Sequence, residues 1–357
     1  MKQIKVLVCD DSALMRRSLK KIIESDPHLK VVGTARDGED SVAKARELLP
    51  DVITMDVLMP GMDGITALQL ICEENIAPVI MVSYYTQEGA ESTFEALALG
   101  AFDFVPKPEG TISDMAAVHH DIVDKIRAAA RPGVVRRLTG KADKRSRSHV
   151  QRLGPFPRDT GRNTGRTGFR AVAIGISTGG PKTLFDVLPR LPADLNAAVF
   201  LVQHMPPRFI TSYTRRIAAA CAMKCYETEA GMDAEAGCIY VARGGSHLTL
   251  YQKTDGRIMI RSPRKPRDRF MPSVNIMMRS VLSVFGQDTV GVLMTGMGDD
   301  GALALKEIRT KGGITIAESE ESAIVFGMPR EAIELGAASV IAPCWEIAEE
   351  IIRAVSS

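Results

Sequence analysis

The sequence of 357 residues has no apolar run of the roughly 18 residues that a membrane-spanning helix needs. Its N-terminal segment, Met1–Asp10, has too short an apolar stretch for a secretory signal peptide and no small-residue cleavage site. We therefore expect a cytoplasmic protein that is not inserted in a membrane.

The sequence also has no cysteine spacing typical of disulfides and no strong excess of positive or negative charge. Its six cysteines are scattered, and only Cys221 and Cys225 lie close together. No histidine or second cysteine pair has zinc-ligand spacing, so we expect reduced thiols rather than a disulfide or a structural metal. The net charge of +2 indicates no general affinity of the whole chain for polyanions.

The remaining composition is that of an ordinary globular protein, with 45% hydrophobic and 25% charged residues. The length is too great for one ordinary core and favours two or three domains. No internal repeat with a solenoid period is present.

Short apolar runs rich in β-branched residues alternate with amphipathic stretches in the first third of the chain. The runs are Ile4–Cys9, Val31–Ala35, Val52–Met55, Val79–Val82 and Phe102–Val105, and helical patterns include Ala13–Ile23 and Ser41–Leu49. This alternation is typical of a parallel, doubly wound sheet covered by helices on both faces. The pattern predicts one such α/β domain, ending near Ala130.

Residues 131–170 have a different composition. They contain twelve Lys or Arg, two Asp, several Gly and Pro, and almost no apolar periodicity. Such a segment buries too little apolar surface to fold, so we interpret most of it as a flexible linker. The alternative is a patch for nucleic acid or another acidic partner. The lack of interleaved aromatic residues or a helical stripe favours the linker.

The alternation of strands and helices resumes at Ala171 and predicts a second, larger α/β domain. Buried parallel strands are expected at Val172–Ile176, Ala198–Val202 and Val290–Met294, and helices at Arg208–Ala220 and Gly301–Arg309. An antiparallel excursion is expected from Ile239–Ala242, Leu248–Tyr251 and Ile258–Ile260, with Asp255-Gly256 as the turn before the last run.

Polar residues follow the predicted strands of the first domain where each strand ends. Asp10 and Asp11 follow the first strand, Asp56 the third, Ser83 the fourth and Lys107 the fifth. The carboxyl ends of parallel strands share one rim, so these side chains should converge there. Crowded carboxylates need a cation, and an all-oxygen ligand set suits Mg²⁺. Taken singly, the aspartates could instead be helix caps.

Three segments make about residues 1–125 resemble a response-regulator receiver domain. Leu7–Ser12 reads LVCDDS, Met55–Gly64 reads MDVLMPGMDG, and Val105–Pro108 reads VPKP. The resemblance implies a flavodoxin-like fold and phosphorylation of Asp56. It also implies Mg²⁺ bound by Asp10, Asp11 and Asp56.

The same resemblance implies a conformational switch in the first domain. Ser83 and Lys107 correspond to the switch pair, and Phe104 lies where the family has its aromatic switch residue. Tyr84-Tyr85 departs from the family, which usually has small residues after the switch serine.

A candidate nucleophile lies at the start of the second domain. Gly175–Pro181 reads GISTGGP; it closes a β-branched strand and precedes a helical pattern. A G-x-S-x-G sequence at a strand-to-helix turn can present a serine on a sharp bend, with backbone N–H groups nearby. Those donors suit a phosphate or an oxyanion, so a nucleotide loop or a plain tight turn is the alternative. The absence of G-x-G-x-x-G spacing and of a Lys-Ser/Thr pair argues against a nucleotide loop.

A serine nucleophile needs a general base, and His204 is the best placed histidine. It closes the next strand in the segment VQHMPP, so it should reach the same rim as Ser177. A structural role for His204 is the alternative. The remaining histidines are weaker candidates because they lie in the first domain, in the linker or, for His247, after a Gly-Gly turn: His28, His119, His120, His149 and His247.

A carboxylate should orient the imidazole. The segment Thr295–Gly301 reads TGMGDDG and follows the apolar strand Val290–Met294, so either Asp299 or Asp300 could act, or could cap the next helix instead. The order Ser, His, Asp differs from the Ser, Asp, His order of α/β-hydrolases, which argues against membership of that fold.

These loops make about residues 170–355 resemble the catalytic domain of chemotaxis methylesterases, together with RFMPSV at Arg269–Val274 and VFGMPREA at Val325–Ala332. The resemblance implies Ser177 as nucleophile, His204 as base and Asp300 as carboxylate. It also implies that Thr178 and Met297 support the oxyanion hole. Asn275 stands where the family commonly has Asp.

The combined resemblance implies three parts: a receiver domain over 1–125, a basic linker over 126–168 and a catalytic domain over 169–357. It implies phosphorylation-regulated hydrolysis of glutamyl methyl esters on chemoreceptor cytoplasmic helices, with methanol released, and also deamidation of glutamines. The receiver would need Mg²⁺ and a chemotaxis-type histidine kinase, and when unphosphorylated would cover the esterase cleft. We expect a monomer that needs no cofactor for the esterase step and binds no nucleic acid.

Two other functions compete with the esterase. A two-component regulator whose output domain only binds would not need Ser177, and its basic linker would bind DNA with steep salt dependence. The lack of a helix-turn-helix or winged pattern after Arg170 argues against it. A serine amidase or peptidase would keep Ser177 and His204 but would hydrolyse generic peptides.

Overall fold

The computed structural model describes residues 3–83, 87–107, 112–138, 150–153 and 168–357. The chain divides into two compact units, Met1–Lys144 and Arg145–Ser357.

The first unit alternates strands and helices along the chain. Its elements are β1 Ile4–Cys9, α1 Ala13–Ile23, β2 Leu29–Ala35, α2 Gly38–Leu48, β3 Val52–Asp56, α3 Gly64–Glu73, β4 Val79–Ser83, α4 Gln87–Leu99, β5 Asp103–Pro106, α5 Ile112–Ala129 and α6 Val134–Leu138. The five strands form one parallel sheet in the order β2-β1-β3-β4-β5. The central strands β3 and β4 are buried along their whole length, as expected for a sheet covered on both faces.

The first acidic residues of this unit do not cap α1. The N-cap of α1 is Ser12, whose hydroxyl accepts a hydrogen bond from the Met15 N–H at 3.3 Å. Asp10 accepts the Ser12 N–H at 2.9 Å and is fully buried. The carboxylate of Asp10 therefore lies beneath the helix start, at the end of the sheet.

The second unit contains the larger sheet. Its elements are β6 Gln151–Arg152, β7 Arg170–Ile176, α7 Gly180–Thr183, β8 Ala197–Gln203, α8 Pro207–Ala220, β9 Lys224–Glu227, β10 Cys238–Val241, β11 Thr249–Gln252, β12 Ile258–Arg261, α9 Val274–Phe285, β13 Thr289–Leu293, α10 Ala302–Thr310, β14 Ile314–Glu318, α11 Met328–Glu334, β15 Val340–Ala342 and α12 Cys344–Ser356. Short 3₁₀ turns cover Leu184–Asp186, Leu188–Arg190 and Gly286–Asp288.

Eight strands form this sheet in the order β6-β15-β14-β13-β7-β8-β10-β9. All neighbouring pairs are parallel except β15 and β6, which are antiparallel. The central strands β7, β8 and β13 are buried throughout, so the sheet is covered on both faces. The prediction of two mainly parallel α/β domains is confirmed.

The predicted antiparallel excursion is correct only in part. β11 and β12 pair antiparallel around the turn that contains Asp255-Gly256. The first run of the three behaves differently, because β10 pairs parallel with β8 and β9 and joins the main sheet. Local sequence marks this run as a strand but does not specify partners that lie more than ten residues away.

Part of the segment predicted as a linker is regular structure. α5 continues to Ala129, α6 follows it, and β6 adds an antiparallel edge to β15 in the second sheet. The Arg152 guanidinium binds the buried Glu350 carboxylate at 2.7 Å in the same unit. Residues 139–149 and 154–167 lie outside the described residues, and the three domain limits stay predictions.

Candidate functional site

The residues predicted for catalysis follow three adjacent parallel strands of the second unit. Ser177 follows β7, His204 follows β8 and Asp300 lies in the loop after β13. Because β13, β7 and β8 are neighbours, their carboxyl ends meet at one rim. The His204 N–H donates to the Ile176 carbonyl at 3.1 Å, which fixes the two loops side by side.

The Ser177 loop is held by its backbone. The Ser177 N–H donates to the Thr295 carbonyl at 2.9 Å, and the Gln203 side-chain amide donates to the Ser177 carbonyl at 2.9 Å and the His204 carbonyl at 3.0 Å. Ser177 is 9% exposed. Within the described ranges, its hydroxyl makes no hydrogen bond to His204. The helix after this loop, α7, is only one turn long, so its dipole contributes little to the site.

His204 is paired with Asp300, and Asp299 is exposed. The His204 Nε2 lies 2.9 Å from the Asp300 Oδ2. A carboxylate only accepts, so Nε2 carries the proton and Nδ1 keeps its lone pair. Nδ1 is buried and, among the residues that the structure describes, has no hydrogen-bond partner. This nitrogen is therefore available to accept a proton.

Asp300 is bound by three further donors besides His204. The Ser273 hydroxyl reaches Oδ1 at 3.1 Å, the Val274 N–H reaches Oδ2 at 2.7 Å and the Asn275 N–H reaches Oδ1 at 2.9 Å. Burial raises the pKa of Asp300, but the hydrogen bonds from His204 and from the backbone outweigh burial and hold this pKa below its ordinary value. Asp300 is therefore ionised at neutral pH, as a carboxylate that stabilises an imidazolium must be.

Asn275, the departure from the family pattern, has a structural contact of its own. Its side-chain oxygen accepts the Ala304 N–H in the first turn of α10 at 3.0 Å. Asn275 therefore supports the start of α10, next to Asp300, and only its backbone contacts the carboxylate.

Phe270 covers one face of the imidazole. Its ring stacks on His204 with a centroid distance of 4.1 Å and an interplanar angle of 7°. The Arg269 guanidinium lies 5.3 Å from the Phe270 centroid. The stacked ring hinders tilting of the imidazole out of the plane in which it contacts Asp300.

Thr295 links the Ser177 loop to a buried carboxylate. Its hydroxyl donates to the Thr178 carbonyl at 2.9 Å and accepts the Val325 N–H at 2.9 Å. Its own N–H donates to the Glu318 Oε2 at 2.7 Å. Thr295 thus connects three segments that surround the serine.

Glu318 ends β14 and is fully buried. Its Oε1 accepts the Ser322 hydroxyl at 2.7 Å, and the Ser322 oxygen accepts the Cys344 N–H at 2.9 Å. Burial raises the pKa of Glu318 to about 7, against the hydrogen bonds from Ser322 and Thr295, and the charge of Asp186 adds to the rise. Glu318 is therefore a titratable group behind the site.

Gly296 allows the loop after β13 to approach the serine closely. A Cβ at this position would lie 2.3 Å from the Met328 Sδ and 2.8 Å from the Ser177 Cβ. Any side chain would therefore displace one of these neighbours.

The residues predicted to support the oxyanion hole lie in the loops on either side of the serine. Thr178 is buried and follows Ser177, and Met297 is half-buried and follows Gly296. In the part of the chain that the structure describes, neither the Thr178 N–H nor the Met297 N–H donates to a protein acceptor. Two backbone donors are therefore available beside Ser177.

The first unit brings three carboxylates together. One oxygen from each of Asp10, Asp11 and Asp56 lies within 4.8 Å of the others. Asp10 and Asp56 are buried and Asp11 is exposed, so the cluster faces solvent on one side. An all-oxygen donor set with an open side suits Mg²⁺, which retains several waters.

Lys107 neutralises part of this cluster. Its ammonium lies 2.6 Å from the Asp56 Oδ2 and 2.9 Å from the Asp10 Oδ2. Burial raises the pKa of Asp56, the bond to Lys107 opposes this rise, and the Asp10 charge adds to it. Burial lowers the pKa of Lys107, but its bonds to Asp56 and Asp10 outweigh burial and raise this pKa overall.

The predicted switch residues lie on β4 and on or directly after β5, the two strands that follow β3 in the sheet order. The Lys107 N–H donates to the Ser83 carbonyl at 2.7 Å, so the switch pair is adjacent. Phe104 on β5 is buried, and the Lys125 ammonium lies 5.5 Å from its ring centroid and donates to its carbonyl at 2.6 Å. Tyr84-Tyr85 lies outside the described residues.

Several residues of the second site were not found from the sequence. Gln203, Phe270, Ser273, Thr295 and Glu318 each contact a predicted site residue or its loop. One signal was present: Gln203 is a polar residue at the end of a run that is otherwise apolar, next to His204.

All six cysteines lie in the described residues, and none of them forms a disulfide. Burial raises the pKa of Cys221 to about 11 and that of Cys225 to about 12, so both thiols are protonated at neutral pH.

The fold and the site define a response regulator whose output domain is a hydrolase. The CheB methylesterase family matches residues 172–351, and the response regulator receiver domain family matches residues 6–118. The protein-glutamate methylesterase/protein-glutamine glutaminase 3 of Syntrophomonas wolfei is 57% identical over 99% of each chain. The protein-glutamate methylesterase/protein-glutamine glutaminase 2 of Carboxydothermus hydrogenoformans is 45% identical over 99% of this chain and 100% of that protein.

A solved structure is similar to the second unit. The CheB methylesterase catalytic domain of Thermotoga maritima is 33% identical, covers 52% of this chain and 98% of that chain, and has a TM-score of 0.51. This chain belongs to the protein-glutamate methylesterase/protein-glutamine glutaminase family.

The predictions of family, fold class and regulated esterase function are confirmed by these comparisons. The receiver domain implies the Mg²⁺ binding that accompanies phosphorylation in such domains. Of the helices that the structure describes, none combines the length and the apolar composition needed to cross a bilayer.

Proposed function

We propose that the second unit hydrolyses γ-glutamyl methyl esters on the cytoplasmic helices of a methyl-accepting chemoreceptor and releases methanol. The observation that carries this proposal is the His204–Asp300 pair beside the Ser177 loop, on three adjacent strand ends. A serine, an imidazole and an ionised carboxylate at one rim are the groups that acyl transfer requires.

The two imidazole nitrogens have different roles. Nε2–H donates to Asp300, so Nδ1 takes the Ser177 proton as the serine oxygen attacks the ester carbonyl. Nδ1–H then protonates the leaving methoxide, and methanol departs from the acyl-enzyme. Water repeats the sequence through Nδ1, releases glutamate and restores the Ser177 hydroxyl. Asp300 stays ionised and stabilises the imidazolium in both halves of the reaction.

The carbonyl oxygen becomes negative in each tetrahedral intermediate. The backbone N–H groups of Thr178 and Met297 are the donors that we assign to this oxyanion. Their lack of protein acceptors among the described residues supports the assignment, because such donors need no rearrangement when the charge forms. The same groups would act on a glutamine side chain, so deamidation of receptor glutamines is included in the proposal.

In the first unit, Asp56 is the phosphoryl acceptor. Asp10, Asp11 and Asp56 would hold Mg²⁺, which shields the carboxylates and the phosphoryl oxygens from one another. Lys107 and Ser83 would bind the new phosphoryl oxygens, and Phe104 would respond as the aromatic switch residue. A chemotaxis-type histidine kinase is the proposed donor.

Phosphorylation controls access to the esterase site in this proposal. The unphosphorylated receiver covers the cleft, and phosphorylation of Asp56 shifts the population towards an open state. We propose the limits 1–125 for the receiver, 126–168 for the linker and 169–357 for the esterase. The protein would act as a cytoplasmic monomer, with no cofactor at the esterase step and no nucleic acid as partner.

The test is methanol release from methylated receptor membranes by the full chain. The proposal predicts release that rises when Mg²⁺ and a small-molecule phosphodonor are added. The Asp56→Asn variant should show the basal rate and no response to the phosphodonor. No release under any condition would contradict the esterase function, and an equal response in Asp56→Asn would contradict its control by Asp56.

A further inference from the structure

His247 is a buried histidine with a contact on each ring nitrogen. It is 1% exposed. Its Nδ1 lies 3.2 Å from the Ser273 backbone nitrogen, and its Nε2 lies 2.8 Å from the Pro266 carbonyl. It follows the Gly-Gly turn at Gly244-Gly245, and from its sequence position it ranks as a weak candidate for any role in the site.

The two contacts fix the tautomer of His247. A backbone N–H can only donate, so Nδ1 must accept from Ser273. A carbonyl can only accept, so Nε2 must carry the proton that it donates to Pro266. His247 is therefore neutral, and each nitrogen has one role that the other cannot replace.

The Nδ1 side of His247 leads to the catalytic carboxylate. Ser273, which is fully buried and caps α9, donates its N–H to His247 and its hydroxyl to the Asp300 Oδ1. The next two residues, Val274 and Asn275, donate their N–H groups to the same carboxylate. Displacement of Ser273 would therefore alter three of the four hydrogen bonds of Asp300.

The Nε2 side leads to an exposed basic loop. The backbone N–H of His247 also donates to the Pro263 carbonyl at 2.8 Å. His247 therefore holds this loop at two points, through its ring and through its backbone. The loop, defined here as Pro263–Phe270, ends in the ring that stacks on His204. It carries four exposed cations at its surface, Arg264, Lys265, Arg267 and Arg269, and one exposed acid, Asp268.

We propose that His247 is a positioning residue that fastens the Pro263–Phe270 loop to the hydrogen-bond network of Asp300, and that this loop contacts the substrate. The inference rests on the proposed function. Each ester that is hydrolysed leaves a glutamate carboxylate, so a receptor helix with several such sites is acidic. A basic loop beside His204 matches that charge, and its position then affects binding.

Two substitutions separate the two contacts of His247. Asparagine places an acceptor near the position of Nδ1, so His247→Asn keeps the bond from Ser273 and loses the bond to Pro266. Glutamine places a donor near the position of Nε2, so His247→Gln keeps the loop and leaves the Ser273 N–H without an acceptor. Each variant retains one half of the wild-type network and serves as the control for the other.

The experiment measures methanol release by the full-length variants at varied concentrations of methylated receptor membranes, and tryptic cleavage after Arg264, Arg267 and Arg269. We expect His247→Asn to raise KM and the rate of cleavage about threefold or more, and to lower kcat less than His247→Gln does. We expect His247→Gln to lower kcat about tenfold or more, because a buried donor is left unpaired, with cleavage close to that of wild type. His28→Asn, at an exposed histidine of the first unit, should change neither property.

Equal effects of His247→Asn and His247→Gln on kcat and KM would overturn the proposal, as would wild-type behaviour of both. A larger loss of kcat in His247→Asn than in His247→Gln would also overturn it. Failure of the proposed function is distinct, because wild type would then release no methanol, whereas the cleavage rates would still show whether His247 holds the loop.

Discussion

Substitution of the buried Glu318 by glutamine should change how stability depends on pH. Its ordinary pKa is 4.5, and burial raises the pKa in the folded protein to about 7. Between these values the folded chain holds a proton that the unfolded chain has released. The free energy of unfolding therefore falls as pH rises, by about 1.4 kcal/mol per pH unit and about 3 kcal/mol over the whole interval. This contribution is fully present below pH 4.5 and is lost by about pH 7.

Glu318→Gln removes the titration and keeps an acceptor for the Thr295 N–H. The difference in unfolding free energy, variant minus wild type, should therefore grow by about 3 kcal/mol in favour of the variant between pH 4.5 and 7.5. Glu320→Gln, at an exposed position two residues away, is the matched control and should follow wild type.

The fluorescence of Trp345 provides the assay. It is the only tryptophan of the chain and follows Cys344, whose N–H binds the Ser322 hydroxyl that contacts Glu318. Urea unfolding followed by this fluorescence reports on the second unit, because the first unit, Met1–Lys144, contains no tryptophan. Parallel stability curves for wild type and Glu318→Gln across this pH range would refute the reasoning.

Three other substitutions test the site. Asp300→Asn should lower kcat for methanol release by about 10⁴-fold with little change in KM, because the imidazole loses the tautomer that the carboxylate imposes; an unchanged kcat would contradict the pairing. Thr295→Val leaves the Thr178 carbonyl and the Val325 N–H unpaired, so the unfolding free energy should fall by about 2 kcal/mol in urea titrations, and a neutral result would contradict these contacts. Gly296→Ala places a methyl group 2.3 Å from the Met328 Sδ, so both the Tm and methanol release should fall; a fully active variant would contradict the close approach.

The position of both sites could be predicted from the sequence because of the geometry of parallel sheets. Ser177 and His204 follow the paired strand residues Ile176 and Gln203, so the alternation of strands and helices was enough to place them at one rim. The same sheet geometry brings Asp10 close to Asp56. The relative positions of residues at strand ends depend on strand order, and sequence patterns constrain strand order well in α/β folds.

The residues that support the site could not be predicted in this way. Glu318 opens the sequence ESEE, which reads as a solvated charge run, and only the packing of β14 shows that its carboxylate is buried. Phe270 lies in a basic loop whose path over His204 depends on contacts with His247. Such residues act through neighbours distant in sequence, and no local pattern indicates those neighbours.

Strand pairing at the edge of the second sheet gives a further example. The apolar run at β10 was expected to pair antiparallel with the hairpin of β11 and β12. Instead, β10 lies between β8 and β9 and pairs parallel with both. A strand of four residues has few features that distinguish an edge hairpin from an extension of the main sheet, so the tertiary environment decides its pairing.

The central claim is that Ser177 is the nucleophile of a methylesterase. The most direct test compares methanol release from methylated receptor membranes by wild type, Ser177→Ala and Ser283→Ala, each with Mg²⁺ and a phosphodonor. Ser283 is an exposed serine on α9 and serves as the matched control. We expect release by wild type and Ser283→Ala and none above background by Ser177→Ala. Release by Ser177→Ala at the wild-type rate would contradict the central claim.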